Sequence, residues 1–354
     1  MGKQLIIAEK PSVAADIARA LGGFTRNQNY SESDQYVLSY AVGHLLELSV
    51  AEEFDPKRGR WSFRHLPVIP PHFDLAPINS KSASQLNTLL KLIKRTDVGG
   101  LVNACDAGRE GELIFRYIVQ HANTKKPIRR LWLQSMTPAA IREGFAALRP
   151  DKELLALADA AKCRSEANWL VGINGTRAMT AFNSKEGGFY LTTVGRVQTP
   201  TLAILVEREE RIRSFKPRDY WEVHARFRAK AGEYAGRWFD PGFKKDDDAE
   251  KKTERLWTAP AAELIVAACH GKTGVTNEET KPSTQLSPLL FDLTSLQREA
   301  NGRFGFSAKT ALALAQALYE RHKMLTYPRT DSRALPEDYL GTVKKTLGVL
   351  QGTR

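Results

Sequence analysis

The chain has 354 residues, and its 52 Lys and Arg against 40 Asp and Glu give a formal charge of +12. A soft prior of ~150 residues per domain divides that length into two or three domains, and 42% apolar with 26% charged residues excludes wholesale disorder and collagen-like or mucin-like chains. The basic excess points to a polyanionic partner, and no apolar run approaches the ~20 residues that span a bilayer.

In chain order, Gln4 to Ala8 is an apolar run of strand length, too short before Glu9 and Lys10 to read as a signal peptide or anchor. Pro11 suits a first helical turn, and Val13 to Leu21 carries a helical apolar period that Gly22-Gly23 ends. Gly100 to Cys105 reads as a second buried strand, broken at Asp106-Ala107-Gly108 and followed by a helix through Leu113, Ile114, Phe115, Ile118 and Val119. Two strand-to-helix junctions with acidic residues at the strand ends predict an open parallel sheet with its ligand site at the carboxyl ends. From Thr137, a plausible N-cap before Pro138, to about Phe215 the texture is helical and Ala-rich. Between about Pro217 and Lys281 the alternation in Tyr220 to Phe227 favours strands, with the charged run Lys244 to Lys252 as a solvated linker. After Pro282 the chain returns to helix, Ser307 capping a segment through Leu312, Leu314, Ala315, Leu318 and Tyr319. No internal repeat or low-complexity tract is found. The three cysteines, Cys105, Cys163 and Cys269, form no Cys-x-x-Cys pair, which excludes disulfide scaffolds and zinc ribbons and points to a reducing cytoplasm.

Three constellations carry candidate chemistry. Asp106 to Glu112 offers acids at a strand end with glycines that admit close approach, a hard-oxygen site suited to Mg²⁺ or, equally, a tight turn with carboxylates favoured by the helix dipole. Glu9 at the matching junction favours the site, and Lys10 beside it can hold a phosphate oxygen or be a plain surface charge. In Leu325 to Ser332, the Tyr327-Pro328 pair favours extended backbone that holds the phenol towards a cleft. Arg329 falls on the same face as a phosphate clamp, together the parts of covalent phosphoryl transfer; the alternative is a core tyrosine in a terminating turn. The loop Thr193, Val194, Gly195, Arg196, Val197, Gln198, followed by Thr199 and Pro200, can cradle a nucleic-acid backbone. Trp61, Trp169 and Arg177 add stacking and cationic groups for unstacked bases, with core packing as the alternative for the two tryptophans. Gly271-Lys272-Thr273 is not a P-loop, because position 266 is Val where that motif needs glycine. ATP hydrolysis is therefore not expected.

Taken in order, Ala8-Glu9-Lys10-Pro11-Ser12, Gly43-His44-Leu45, Asp106 to Glu112, Val194 to Pro200 and Leu325 to Ser332 resemble the successive signatures of type IA DNA topoisomerases, and among these the bacterial topoisomerase III branch. The resemblance implies a multidomain fold: an α/β Toprim domain over 1–150, a helical DNA-binding segment over 151–216, a β-rich hinge or arch over 217–281 and a helical domain over 282–354 carrying the tyrosine. It implies an ATP-independent, Mg²⁺-dependent enzyme that cleaves single-stranded DNA through a 5′-phosphotyrosyl bond, passes a strand and reseals, relaxing negative supercoils or decatenating. Tyr327 would be the nucleophile, Arg329 its phosphate clamp, Glu9 a proton carrier at the 3′ oxygen and a metal ligand, Lys10 a transition-state charge partner. Asp106 would be the main metal ligand with Glu110 in support, and Arg329, Arg177, Trp169, Trp61 and residues 193–198 would contact DNA. A tyrosine phenol titrates at ~10 in peptides, so nearby cations must activate it.

Two departures from the family pattern bear on this. Much of the family has Asp-x-Asp-x-Glu where this chain has Asp106, Gly108 and Glu110, which implies one carboxylate fewer. The family's toroid returns through two domains after the tyrosine, whereas this chain stops at Arg354, so a C-terminally truncated member with an incomplete toroid is expected. The implied setting is the bacterial cytoplasm at the nucleoid, without membrane contact, and the implied partners beyond DNA are a helicase or a chain supplying the missing segments. The competing expectations are a metal-dependent Toprim nuclease and a non-catalytic single-stranded DNA binder.

Overall fold

The computed structural model describes residues 2–49, 61–245, 248, 250–322 and 324–352. Positions 246, 247 and 249 of the charged run lie outside them. By backbone proximity the chain forms two units, Met1–Pro200 with Ser287–Arg354, and Thr201–Leu286.

The first unit opens with β1 (Lys3–Ala8), α1 (Pro11–Leu21), β2 (Thr25–Arg26), β3 (Ser31–Glu32), β4 (Tyr36–Tyr40) and β5 (Leu46–Ser49). β6 (Asp74–Pro77), α2 (Ser80–Lys94), β7 (Val98–Ala104), α3 (Arg109–Ala122), β8 (Ile128–Arg130), α4 (Pro138–Ala146) and β9 (Arg149–Pro150) follow. Seven strands make one sheet in the order β2-β3-β4-β1-β7-β8-β9, and β5 pairs separately with β6. β1 runs parallel to both β4 and β7, β7 runs parallel to β8, and the outer pairings are antiparallel. The expected strands and junctions are found, and the register Ala8↔Ala104 brings Glu9 and Asp106 to neighbouring strand ends.

The sheet is buried on both faces, and the two-residue period of β1 shows how. Leu5 and Ile7 join α2 and α3 through Leu86, Leu89, Leu113 and Ile118. Ile6 and Ala8 join α1 and α4 through Val13, Ile17 and Ile141. Each fully buried Leu or Ile contributes roughly 1.5–3 kcal/mol, and all four β1 residues are sealed from solvent. Pro11 occupies the first turn of α1, Gly22 receives its end with φ 73°, and Thr137 Oγ1 accepts from Ala140 N to cap α4.

The unit continues with α5 (Leu155–Asn183) and the start of α6 (Gln198–Arg213). It resumes with α8 (Leu293–Phe304), α9 (Ala308–Glu320) and α10 (Leu340–Gln351), the numbering leaving α7 to the second unit. Ser307 caps α9 as expected. The second unit carries the antiparallel hairpin of β10 (His224–Ala229) and β11 (Gly232–Arg237), where alternation predicted strands. It also holds α7 (Ala259–Cys269), a helix inside the stretch read as strand-rich. Pro260 in its first turn and the run Ala261-Ala262-Glu263-Leu264 favour helix locally, which the alternation upstream does not report.

Candidate active site

Glu9 follows β1 directly, and its backbone is clasped by the turn after β4. The Glu9 carbonyl accepts from Val42 N at 2.9 Å and Gly43 N at 3.1 Å. That clasp needs left-handed backbone at both residues, φ 78° at Val42 and 79° at Gly43. Glycine adopts it freely, whereas a β-branched residue stores strain of ~1–3 kcal/mol, so the surrounding structure holds this turn against local preference. The Glu9 side chain is 9% exposed and its Oε2 accepts from Asp106 N at 3.3 Å.

Asp106 sits on the neighbouring strand end, on a loop folded back over the first turn of α3. A Cβ at Gly111 would lie 2.2 Å from the Asp106 carbonyl oxygen, so only glycine permits that approach. From below, the guanidinium of Arg130 holds the same strand end. Its Nη2 donates to Asp106 O at 2.7 Å, and its Nη1 lies 2.9 and 2.7 Å from the carbonyls of Asn103 and Cys105. Arg130 is 1% exposed, and burial pulls its pKa down. Glu112, with no exposure, offsets that at 3.3 Å from Nε while binding Arg116 and Asn103. Burial pushes the Cys105 thiol up, which keeps it protonated and inert.

Lys10 joins these acids to the tyrosine. Its Nζ is 3.2 Å from Glu9 Oε1 and 3.5 Å from Asp106 Oδ2, and it lies 5.1 Å from the centre of the Tyr327 ring. Burial opposes the ammonium charge, but the charges of Asp106, Glu9 and Tyr327 outweigh it and raise the Lys10 pKa above its ordinary value. Lys10 therefore stays cationic across the physiological range. A cleft of about 280 Å³ opens here, lined by Glu9, Lys10, Gln316, Tyr319, Tyr327 and Arg329. Tyr327 is 40% exposed, with Pro328 buried behind it, and Tyr319 meets its ring edge-on at 5.6 Å. Arg329 makes no ion pair among the described residues, which leaves its fork open to an anion.

The other predicted residues are more dispersed. Glu110, on the first turn of α3, pairs with His44 Nε2 at 3.4 Å and Arg164 Nε at 3.7 Å. Among the described residues, no three His, Cys, Asp or Glu side chains gather as a metal cage. Glu9 and Asp106 still fit Mg²⁺, which keeps most of its waters and needs one or two carboxylates plus substrate phosphates. In the loop at 193–198, Val194 is pinned to α5, its N donating to Thr176 Oγ1 at 3.0 Å, and Gly195 N donates to Thr199 Oγ1 at 3.1 Å. Arg196 and Val197 project outward at the start of α6. Arg177 is a different case: it is 2% exposed and stacks on Trp61 at 5.4 Å, with Phe189 on the same indole. Trp169 packs edge-on against Phe73 at 5.2 Å. Arg177 is buried, whereas Trp61 and Trp169 are half-buried and pack through their aromatic contacts. The sequence reading missed Gln316 and Tyr319 in the cleft, and it quoted His44 within a signature without giving it the place beside Glu110 that it takes here. The first two lie on the helix leading to Tyr327, where an apolar period masked them as core.

Comparison with known proteins agrees with this geometry. A family model described as DNA topoisomerase matches residues 152–354, and one described as Toprim domain matches residues 4–136. DNA topoisomerase 3 of Shouchella clausii is 43% identical over 350 residues, 98% of this chain and 45% of that protein. DNA topoisomerase 3 of Bacillus subtilis is 42% identical over 349 residues, with the same shares. This chain thus spans a little under half the length of the curated relatives it matches. The full-length topoisomerase I of Thermotoga maritima shares the fold, with a TM-score of 0.60 at 22% identity over 97% of this chain and 52% of that one. Among the described residues no helix is long and apolar enough to cross a membrane. A Toprim sheet with acidic strand ends, followed by a matched topoisomerase segment over more than half of its length, makes this chain a member of the type IA DNA topoisomerase family, with topoisomerase III among its relatives.

Proposed function

We propose that this chain carries the cleavage centre of an ATP-independent topoisomerase that breaks one DNA strand through Tyr327. The observation that carries the reading is the position of Lys10, whose single ammonium touches Glu9, Asp106 and the Tyr327 ring at once. Glu9, Lys10 and the Tyr327 phenol then line one cleft, with Asp106 beside it through Lys10.

In the forward step the Tyr327 Oη attacks the scissile phosphorus, forming a P–O bond to tyrosine as the bond to the 3′ oxygen breaks. The phenol proton passes to water, and the departing 3′ oxygen takes up a proton delivered through Glu9, so one proton is released and one consumed. Arg329 grips a non-bridging oxygen, and Lys10 stabilises the charge that builds in the transition state. The phosphotyrosyl ester retains the free energy of the broken bond, so the 3′ hydroxyl reseals the strand without ATP. Glu9 and Asp106 would hold Mg²⁺, which supplies charge neutralisation at the phosphate. DNA enters as an unpaired strand, the exposed Arg196 and the loop at 193–198 contacting its backbone, and relaxation or decatenation follows when a second strand passes the break. The centre belongs to a bacterial cytoplasmic enzyme at the nucleoid, working with a helicase or with a chain that supplies the rest of the toroid.

Incubation with an end-labelled single-stranded oligonucleotide and Mg²⁺, followed by denaturation, tests this. The expected result is protein attached to 5′ ends, absent in Tyr327→Phe. Free ends that persist in Tyr327→Phe would replace the reading with a Toprim nuclease. Salt-sensitive binding with no cleavage at any Mg²⁺ concentration would leave a single-stranded DNA binder.

A further inference from the structure

Beyond Tyr327 the chain returns to the sheet. A short 3₁₀ turn at Glu337–Tyr339 leads into α10, and the carboxylate of Asp338 reaches the start of α4, some 200 residues earlier in sequence. Ser135 Oγ donates to Asp338 Oδ2 at 2.6 Å, and Thr137 Oγ1 donates to the same oxygen at 2.8 Å.

The two hydroxyls are themselves fixed. Thr137 is the N-cap of α4, its Oγ1 accepting from Ala140 N at 3.3 Å. Ser135 is 9% exposed, and its Oγ accepts from Thr137 N at 3.3 Å. Asp338 thus adds an outer cap to a helix that already has one, placing a negative charge at the positive end of the α4 dipole. The Ser135 and Thr137 hydroxyls hold the Asp338 carboxyl below the usual carboxylate range. On the other side, the stretch between Tyr327 and Asp338 is tied to its own helical segment. Leu293 N donates to Thr330 O at 3.1 Å and Arg333 Nε to Leu290 O at 2.9 Å. The loop therefore moves with its helices, and its orientation over the sheet depends on contacts that cross from one to the other.

We propose that Asp338 is a positioning residue, which by docking on Ser135 and Thr137 holds the Tyr327 loop over the Glu9 and Asp106 edge of the sheet. The catalytic consequence rests on Tyr327 being the nucleophile; the docking itself does not. Asp338 is exposed and Thr137 half-buried, so water still competes for the Asp338 carboxylate. A contact of this kind biases an equilibrium by roughly tenfold and does not lock it, which suits a loop that must both seat Tyr327 and let go.

The test uses the full chain with Asp338→Ala, Asp338→Asn and Ser135→Ala. Hydrogen exchange reads the docking: Asp338→Ala is expected to raise exchange in residues 138–141 and 337–342 and leave β1 and β7 unchanged. Unchanged exchange at both places would overturn the docking. Adduct formation on a labelled single-stranded oligonucleotide reads the positioning. The rate is expected to fall about tenfold in Asp338→Ala with oligonucleotide affinity unchanged, and less in Asp338→Asn, which keeps an acceptor oxygen. Ser135→Ala combined with Asp338→Ala should lose no more than Asp338→Ala alone. A wild-type adduct rate in Asp338→Ala, or a loss entirely in affinity, would overturn the positioning role. If the unmodified chain formed no adduct, the function proposed above would fall, while the exchange measurement would still decide the docking.

Discussion

Gly111→Ala is the substitution whose cost the structure fixes most closely. The added methyl would sit 2.2 Å from Asp106 O, 2.8 Å from Asp106 N and 3.0 Å from Asp106 C. Ordinary contacts between such atoms fall near ~3.5 Å, so the methyl is more than an ångström too deep against the carbonyl oxygen and too close to the other two backbone atoms as well. No side chain can swing aside to admit it. The loop must lift, and the anchors resisting that are the Arg130 hydrogen bond to Asp106 O at 2.7 Å and the Asp106 N bond to Glu9 at 3.3 Å. Helical propensity favours alanine by ~1 kcal/mol, and overpacking against fixed backbone costs ~2–4 kcal/mol, so a net loss of about 1–3 kcal/mol in unfolding free energy is expected. Lifting Asp106 by ~1 Å also displaces it from Lys10, at a further cost of ~10²-fold in rate. Denaturant unfolding followed at two probes measures the first effect, and the rate of adduct formation on a single-stranded oligonucleotide measures the second. A Gly111→Ala protein within 0.5 kcal/mol (~the scatter of neutral substitutions) and with an unchanged rate would show that the close approach does not set the site.

Lys10→Met keeps the volume but removes the ammonium between Glu9 and Asp106, and should lower the adduct rate by ~10²-fold with a stability change under ~1 kcal/mol; a rate within twofold would remove Lys10 from the chemistry. Glu32 anchors the sheet edge through Arg95 at 2.6 Å and Lys3 at 2.7 Å, and the Arg95 hydrogen bond, with Lys3 in support, holds its pKa near about 2 instead of 4.5. Its depressed value means that its contribution is complete above the unfolded pKa and is lost as pH falls from about 4.5 towards 2, an effect of ~1–2 kcal/mol after solvent screening. Glu32→Gln should flatten that part of the pH–stability curve, and an unchanged acid limb would refute the assignment. Arg196→Ala should weaken oligonucleotide binding and reduce the log–log salt slope by ~1. Arg177→Met should instead cost stability and leave the slope intact, and the reverse pattern would return Arg177 to the DNA interface.

The parts legible in the sequence are those set by local rules. The apolar run of β1, Pro11 and Gly22 around α1, and Thr137 and Ser307 as caps each fix an element from within a few residues. The strand-to-helix junctions after β1 and β7 predict a parallel sheet, which holds for the pairings of β4, β1, β7 and β8, whereas the outer strands pair antiparallel and make the sheet mixed. What escaped depends on where a helix face points. Glu110 stands four residues from Asp106, yet Gly111 folds the loop back so that Asp106 turns to Lys10 while Glu110 turns to His44 and Arg164. Arg177 looks like a surface cation until the packing of α5 buries it beneath Trp61. Asp338 meets Ser135 and Thr137 across some 200 residues, a separation that no local pattern encodes.

Strand breakage through Tyr327 requires that its phenolic oxygen carry the DNA. Digesting the denatured adduct with nuclease and protease and mapping it by mass spectrometry is the most direct measurement. The prediction is a nucleotide esterified to the peptide that contains Tyr327, and none on the Tyr319 peptide although that second phenol ring lies 5.6 Å from the first. A nucleotide on Tyr319 or any other residue, or cleaved DNA with no nucleotide on the protein, would contradict it.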